Sequence, residues 1–113
     1  MLDEQEKDQR QHERYPLCFP VAYDGEGVMG QGQAADLSIL GCAVVCDAPV
    51  PAKSYITLQL SLPDGETRLD IDLAVVRWSH GEIFGVEFIA FGEVQKTRLK
   101  RFLSSVVAQS LPR

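Results

Sequence analysis

Ile56-Thr57-Leu58-Gln59-Leu60-Ser61-Leu62-Pro63-Asp64-Gly65, followed by Leu69-Asp70-Ile71-Asp72-Leu73-Ala74-Val75, is the stretch that decides the fold. In its first half Ile56, Leu58, Leu60 and Leu62 alternate with Thr57, Gln59 and Ser61, the period of a strand with one buried face. Pro63-Asp64-Gly65 supplies a turn. Leu69, Ile71, Leu73 and Val75 then resume the alternation on the inward side, against Asp70, Asp72 and Ala74. Two strands joined this tightly pair antiparallel, because a parallel pair needs a crossover of a dozen or more residues.

The same signals extend in both directions. Upstream, Leu17, Phe19, Val21 and Tyr23 form an alternating first strand, and Pro20 within it predicts an edge or bulged position. Asp24-Gly25-Glu26-Gly27 is a turn, Val28 to Ala35 a weak glycine-containing strand, and Gly41 to Cys46 a short apolar one. Downstream, Ser79-His80-Gly81 reads as a turn before a last strand carrying Phe84, Val86 and Phe88. Six strands with short turns give a mainly β fold, a small antiparallel barrel or sandwich. The one helix comes at the end, where Leu99, Phe102, Leu103 and Val106 fall at i, i+3, i+4 and i+7. Lys96, Arg98, Lys100 and Arg101 lie outside that stripe, as a solvated face.

With 113 residues the chain makes one domain: a polar, flexible arm over 1–14 and a barrel plus helix over 15–110. No apolar run approaches the roughly 20 residues of a membrane-spanning helix, so membrane insertion is not expected. The net charge of −5 argues against a nucleic-acid polymer as partner. Three cysteines, Cys18, Cys42 and Cys46, form no paired spacing and read as small buried hydrophobes in a reduced, cytoplasmic protein.

Catalytic chemistry finds little support. His12 and His80 are the only histidines, and no Gly-x-Ser-x-Gly elbow presents a serine. Asp70 and Asp72 fit the solvent face of a strand, and Cys42 with Cys46 lacks two further ligands for zinc. Gly25-Glu26-Gly27-Val28-Met29-Gly30 spells a dinucleotide fingerprint, but no helix follows to receive a pyrophosphate. No catalytic residue, metal or cofactor is therefore assigned.

Two spacings remain. Arg10-Gln11-His12-Glu13-Arg14 sets two guanidinium groups four apart at the root of the first strand. Asp36-Leu37-Ser38-Ile39-Leu40-Gly41 sets a carboxylate, a hydroxyl and a glycine at a strand-to-strand junction. With seven Arg, eight Asp, seven Ser and nine Gly, chance supplies about 0.4 of the first pattern and about 0.04 of the second.

RxxxR ahead of a barrel, then (D/N)xSxxG between early strands, resembles the PilZ domain, the bacterial receptor module for cyclic di-GMP. Val75-Val76-Arg77-Trp78 and Phe84-Gly85-Val86-Glu87-Phe88 resemble its closing strands, so the likeness runs from Gln9 to Val107. It implies a stand-alone, six-stranded split-barrel receptor without catalytic activity, passing the second-messenger signal to an unidentified partner protein. The ligand set carried over is Arg10, Arg14, Asp36, Ser38 and Gly41. Gln9 stands where many members carry a second basic residue, leaving one nucleotide or a stacked pair open. Gln9, Arg77 and Trp78 are further candidate contacts. Arg77 is in phase with Leu73 and Val75, so either a bulge shifts the phase or Arg77 lines the ligand mouth; a lone Trp is more often a core residue than a ligand contact. The nucleotide-independent alternative is an adaptor of the same fold in type IV pilus assembly or motility.

The chemistry of the ligand suits these residue types. Arg binds phosphate or guanine O6/N7 through its planar fork and stacks on bases. A carboxylate such as Asp36 accepts from guanine N1–H and N2–H₂. Ser38 has both donor and acceptor capacity, and glycine at 41 admits a conformation or approach that a side chain blocks. The expected mechanism is an arm that orders over the nucleotide and thereby offers a new surface.

Overall fold

The computed structural model describes residues 14–46, 48, 50–65 and 68–110. Six strands run in order β1 (Phe19–Gly25), β2 (Val28–Leu37), β3 (Gly41–Cys46), β4 (Tyr55–Leu60), β5 (Leu69–His80) and β6 (Ile83–Ala90). One helix, α1 (Glu93–Ser110), follows. The strands close into a barrel in the order β1-β2-β3-β6-β5-β4, with every pairing antiparallel.

The alternation that decides the fold fills the interior. Ile56, Leu58, Leu60, Leu69 and Ile71 are all essentially inaccessible, and Asp70 and Asp72 face solvent. Burial of each such aliphatic side chain favours the folded state by roughly 1.5–3 kcal/mol. Barrel closure leaves no edge, so Pro20 is not an edge residue. Its carbonyl accepts from Ser61 N at 3.0 Å, and one residue's N and C=O point the same way. The missing N–H therefore falls where the β1–β4 ladder ends.

Several boundaries differ from the sequence reading. β2 continues through Asp36 and Leu37, which are not in a junction, and β4 ends at Leu60, with Leu62 buried beyond it. β5 runs through His80, which is in a strand rather than a turn. Ala74 and Val76 join the core cluster, whereas Leu73 and Val75 stay outside it, Val75 being buried on the outer side of the sheet. The cause is a change of register between Leu73 and Ala74 against β6, matched by an extra β5 residue against β4. An inserted residue exchanges the two faces of everything beyond it. Cys42 and Cys46 are buried, but Cys18 is exposed, its thiol donating to Gln33 Oε1 at 2.6 Å.

Helix α1 packs at the mouth where β4 ends and β5 begins. Leu99 and Leu103 enter the core, and Phe102 packs on it. Gln95 Oε1 accepts from Asp70 N at 3.2 Å, tying the first helical turns to β5. Arg98 is not part of a solvated face: only 11% of its side chain is exposed, and it reaches Asp64 Oδ1 at 3.4 Å in the β4–β5 turn.

Candidate functional site

The chain enters the barrel beside the end of β2. Tyr15 N donates to Leu37 O at 2.9 Å and Leu37 N to Tyr15 O at 3.0 Å, a two-bond antiparallel bridge. That bridge sets Arg14 alongside Asp36, and Arg14 Nη1 lies 2.9 Å from Asp36 Oδ1. Two motifs 22 residues apart thus meet in one ion pair. Gln9, Arg10 and the rest of the expected arm, 1–13, lie outside the described residues.

Asp36 has a second task. Ala35 is an extra residue in β2, a bulge that shifts register between Ala34 and Asp36. At this break the carboxylate takes the Ala43 N–H on Oδ1 at 3.0 Å. Oδ1 therefore serves both Arg14 and β3, and Oδ2 stands outside both contacts.

Ser38 and Gly41 build the β2–β3 loop. Ser38 is buried, and its Oγ accepts from Leu40 N at 3.1 Å and Gly41 N at 3.2 Å while donating to Gly41 O at 3.4 Å. Ser38 N also donates to Gly41 O, at 2.8 Å, and Phe88 N to Leu40 O, at 2.7 Å. A Cβ on Gly41 would stand 2.0 Å from Val86 O and 3.2 Å from Glu87 Cα. Glycine is required because the loop lies against the β6 backbone. It is the approach, not an unusual φ, that excludes a side chain.

Burial, reinforced by the Asp36 charge and opposed by Arg14, pushes the Cys42 thiol up to about 12. Cys42 is a fully buried core residue, where the neutral thiol is the favoured form.

Register extends the site sideways. Asp36 opposes Ala43, Ala43 opposes Gly85, and Gly85 opposes Trp78. Directly opposed residues share a face, so these four form one row on the outside of the barrel. At about 4.8 Å per strand the row spans roughly 14 Å. A carboxylate stands at one end, two minimal residues lie between, and an indole at the other end rests against Gly85, whose added Cβ would meet its ring at 2.3–2.7 Å. Trp78 is 44% exposed and not a core residue. No motif marks Ala43 or Gly85 in the sequence, yet counting outward from the Gly81 turn pairs Trp78 with Gly85.

Of the two readings open for Arg77, a bulge is the one seen: the shift near Leu73 and Ala74 turns the phase of Leu73, Val75 and Arg77 outward. A second register shift lies between Val76 and Trp78, making Arg77 the extra residue of β5. Arg77 Nε and Nη2 both lie 2.7 Å from Glu87 Oε1 on the same outer surface.

Comparison with known proteins agrees with this architecture. The family model of the PilZ domain matches residues 8–105, and the chain belongs to that family of cyclic di-GMP receptor modules. The PilZ domain of CeSA from a cellulose-synthesizing bacterium superposes with a TM-score of 0.65 at 20% identity, over 83% of this chain and 97% of that one. The Bacillus subtilis inhibitor of motility MotI/DgrA gives 0.76 at 18% identity, over 91% of this chain and 53% of that one. Both likenesses concern the fold. Curated protein sequences give no match. Among the described residues no helix is long and apolar enough to cross a membrane.

Proposed function

We propose that this domain binds cyclic di-GMP on the outer row that begins at Asp36, and that it signals by protein contact rather than by catalysis. The observation that carries the reading is the Arg14–Asp36 pair, which brings both motifs to one corner of the barrel. Binding is then an exchange. Arg14 turns its fork from the carboxylate to a phosphate, and Asp36 turns from Arg14 to the guanine N1–H and N2–H₂. The Ala43 N–H keeps Asp36 aimed during that exchange. Arg10 supplies a second cation, and Trp78 offers a face for a purine at the far end of the row. Ser38 and Gly41 act by holding the loop in shape. Closure of residues 9–14 over the nucleotide makes the surface that a partner protein reads.

A second reading has its own support: Ser38 and Gly41 are fully accounted for by the loop they build, with no ligand required. On that reading the domain is a nucleotide-independent adaptor in pilus assembly or motility.

Calorimetry with two dinucleotides separates the readings. Cyclic di-GMP should bind, and cyclic di-AMP should bind about 10- to 150-fold more weakly, because adenine offers Asp36 no N1–H or N2–H₂ donor. Equal affinities would leave Asp36 with a structural role only, and no heat from either ligand would favour the adaptor.

A further inference from the structure

We infer that Arg77 and Glu87 form a positioning pair for Trp78, and that Arg77 does not itself hold the ligand. The inference rests on the cyclic di-GMP reading for its affinity measurement alone. Without the bulge, strict alternation would set Arg77 opposite Gly85 and turn Trp78 toward the other face of β5. The extra residue is what places the indole on the row that starts at Asp36. Bulges re-aim side chains in this way.

Two features hold the bulge in register. One is Gly85, whose missing Cβ leaves the space that the indole fills. The other is the ion pair, in which Arg77 applies two nitrogens of its fork to one oxygen of Glu87, each at 2.7 Å. Glu87 is itself fixed, since its backbone opposes Val75 on one side and Gly41 on the other. The same β6 segment therefore carries the Asp36–Gly41 loop through Gly41 and the Trp78 bulge through Glu87. Both ends of the outer row are referred to one strand.

The opposing view, that Arg77 is a phosphate anchor, makes a prediction of opposite sign. Glu87 would then be a competitor for the guanidinium, and its neutralisation would free Arg77 to bind tighter. In a positioning pair, loss of either partner has the same effect.

Trp78 is the only tryptophan, so its emission reports its own position. In the full chain, Arg77→Ala and Glu87→Gln should each shift the emission to the red and raise its quenching by acrylamide. Gly85→Ala, which drives the indole off its seat, gives the reference for a displaced ring. Each of Arg77→Ala and Glu87→Gln should also weaken cyclic di-GMP by about two- to five-fold, the scale of one exposed ion pair. Unchanged emission and quenching in both variants would overturn the inference. So would a Glu87→Gln variant that binds as tightly as the wild type or tighter, whereas Arg77→Ala binds more weakly. If the wild type gives no heat with cyclic di-GMP, the ligand reading fails, and the emission comparison still decides the positioning role.

Discussion

Gly41→Ala should be the most damaging single change near the site, lowering stability by about 3 kcal/mol. The added methyl would stand 2.0 Å from Val86 O, and the obstacle is a strand backbone rather than a flexible side chain. Overpacking ordinarily costs roughly 1–3 kcal/mol, and the upper end applies where neither side can yield. Relief would require the β2–β3 loop to lift away from β6. That would break Phe88 N to Leu40 O and unseat the Ser38 Oγ network, so the geometry of the β2–β3 corner would be lost with the stability. Thermal unfolding should fall by about 10 °C or more for a domain of this size. A midpoint within about 2 °C of the wild type would show that the loop is not clamped against β6 as described.

The largest functional effect should come from Arg14→Ala, with cyclic di-GMP bound about 10- to 150-fold more weakly. This corresponds to roughly 1.5–3 kcal/mol for a hydrogen bond involving a charged group. Stability should change by less than about 1 kcal/mol, because the Arg14–Asp36 pair is half-exposed, at 49% and 28%, and solvent screens it. Asp36 keeps its bond to Ala43 N in this variant, so the bulge survives. Arg14→Lys should fall between the two, keeping the cation but losing the planar fork. Calorimetry and thermal melts on the same samples check both halves. A stability loss as large as that of Gly41→Ala, with affinity retained, would mean that the pair is structural.

The sequence carried the barrel wherever alternation was undisturbed. Ile56 to Leu60 and Leu69 to Ile71 point where their periodicity says, and the Leu99–Leu103 stripe packs as its spacing requires. Periodicity fails where a residue is inserted, because a bulge leaves no mark in composition. Alternation alone therefore puts Leu73 and Val75 on the wrong face and leaves Arg77 open between a bulge and a ligand mouth. Cys18 carries a related lesson: it precedes β1, where polarity alone does not tell a covered position from an open one. The two motifs were legible as patterns, but their roles were not. Ser38 and Gly41 look like ligand contacts in a spacing, and only the loop geometry shows what they hold together. That Arg14 touches Asp36 follows from the Tyr15–Leu37 bridge, a pairing across 22 positions that no local signal announces.

Amide hydrogen exchange with and without cyclic di-GMP distinguishes closure over the Asp36 corner from binding elsewhere on the barrel. New protection is expected at residues 9–14 and around Asp36–Gly41, with Ala43 included through its bond to Asp36, and little change at β4. Fixing backbone costs roughly 1–2 kcal/mol per residue, so the protection should fade ahead of residue 9. Saturating nucleotide with unchanged exchange at 9–14 and at Asp36–Gly41, or protection centred on another face of the barrel, would contradict closure over that corner.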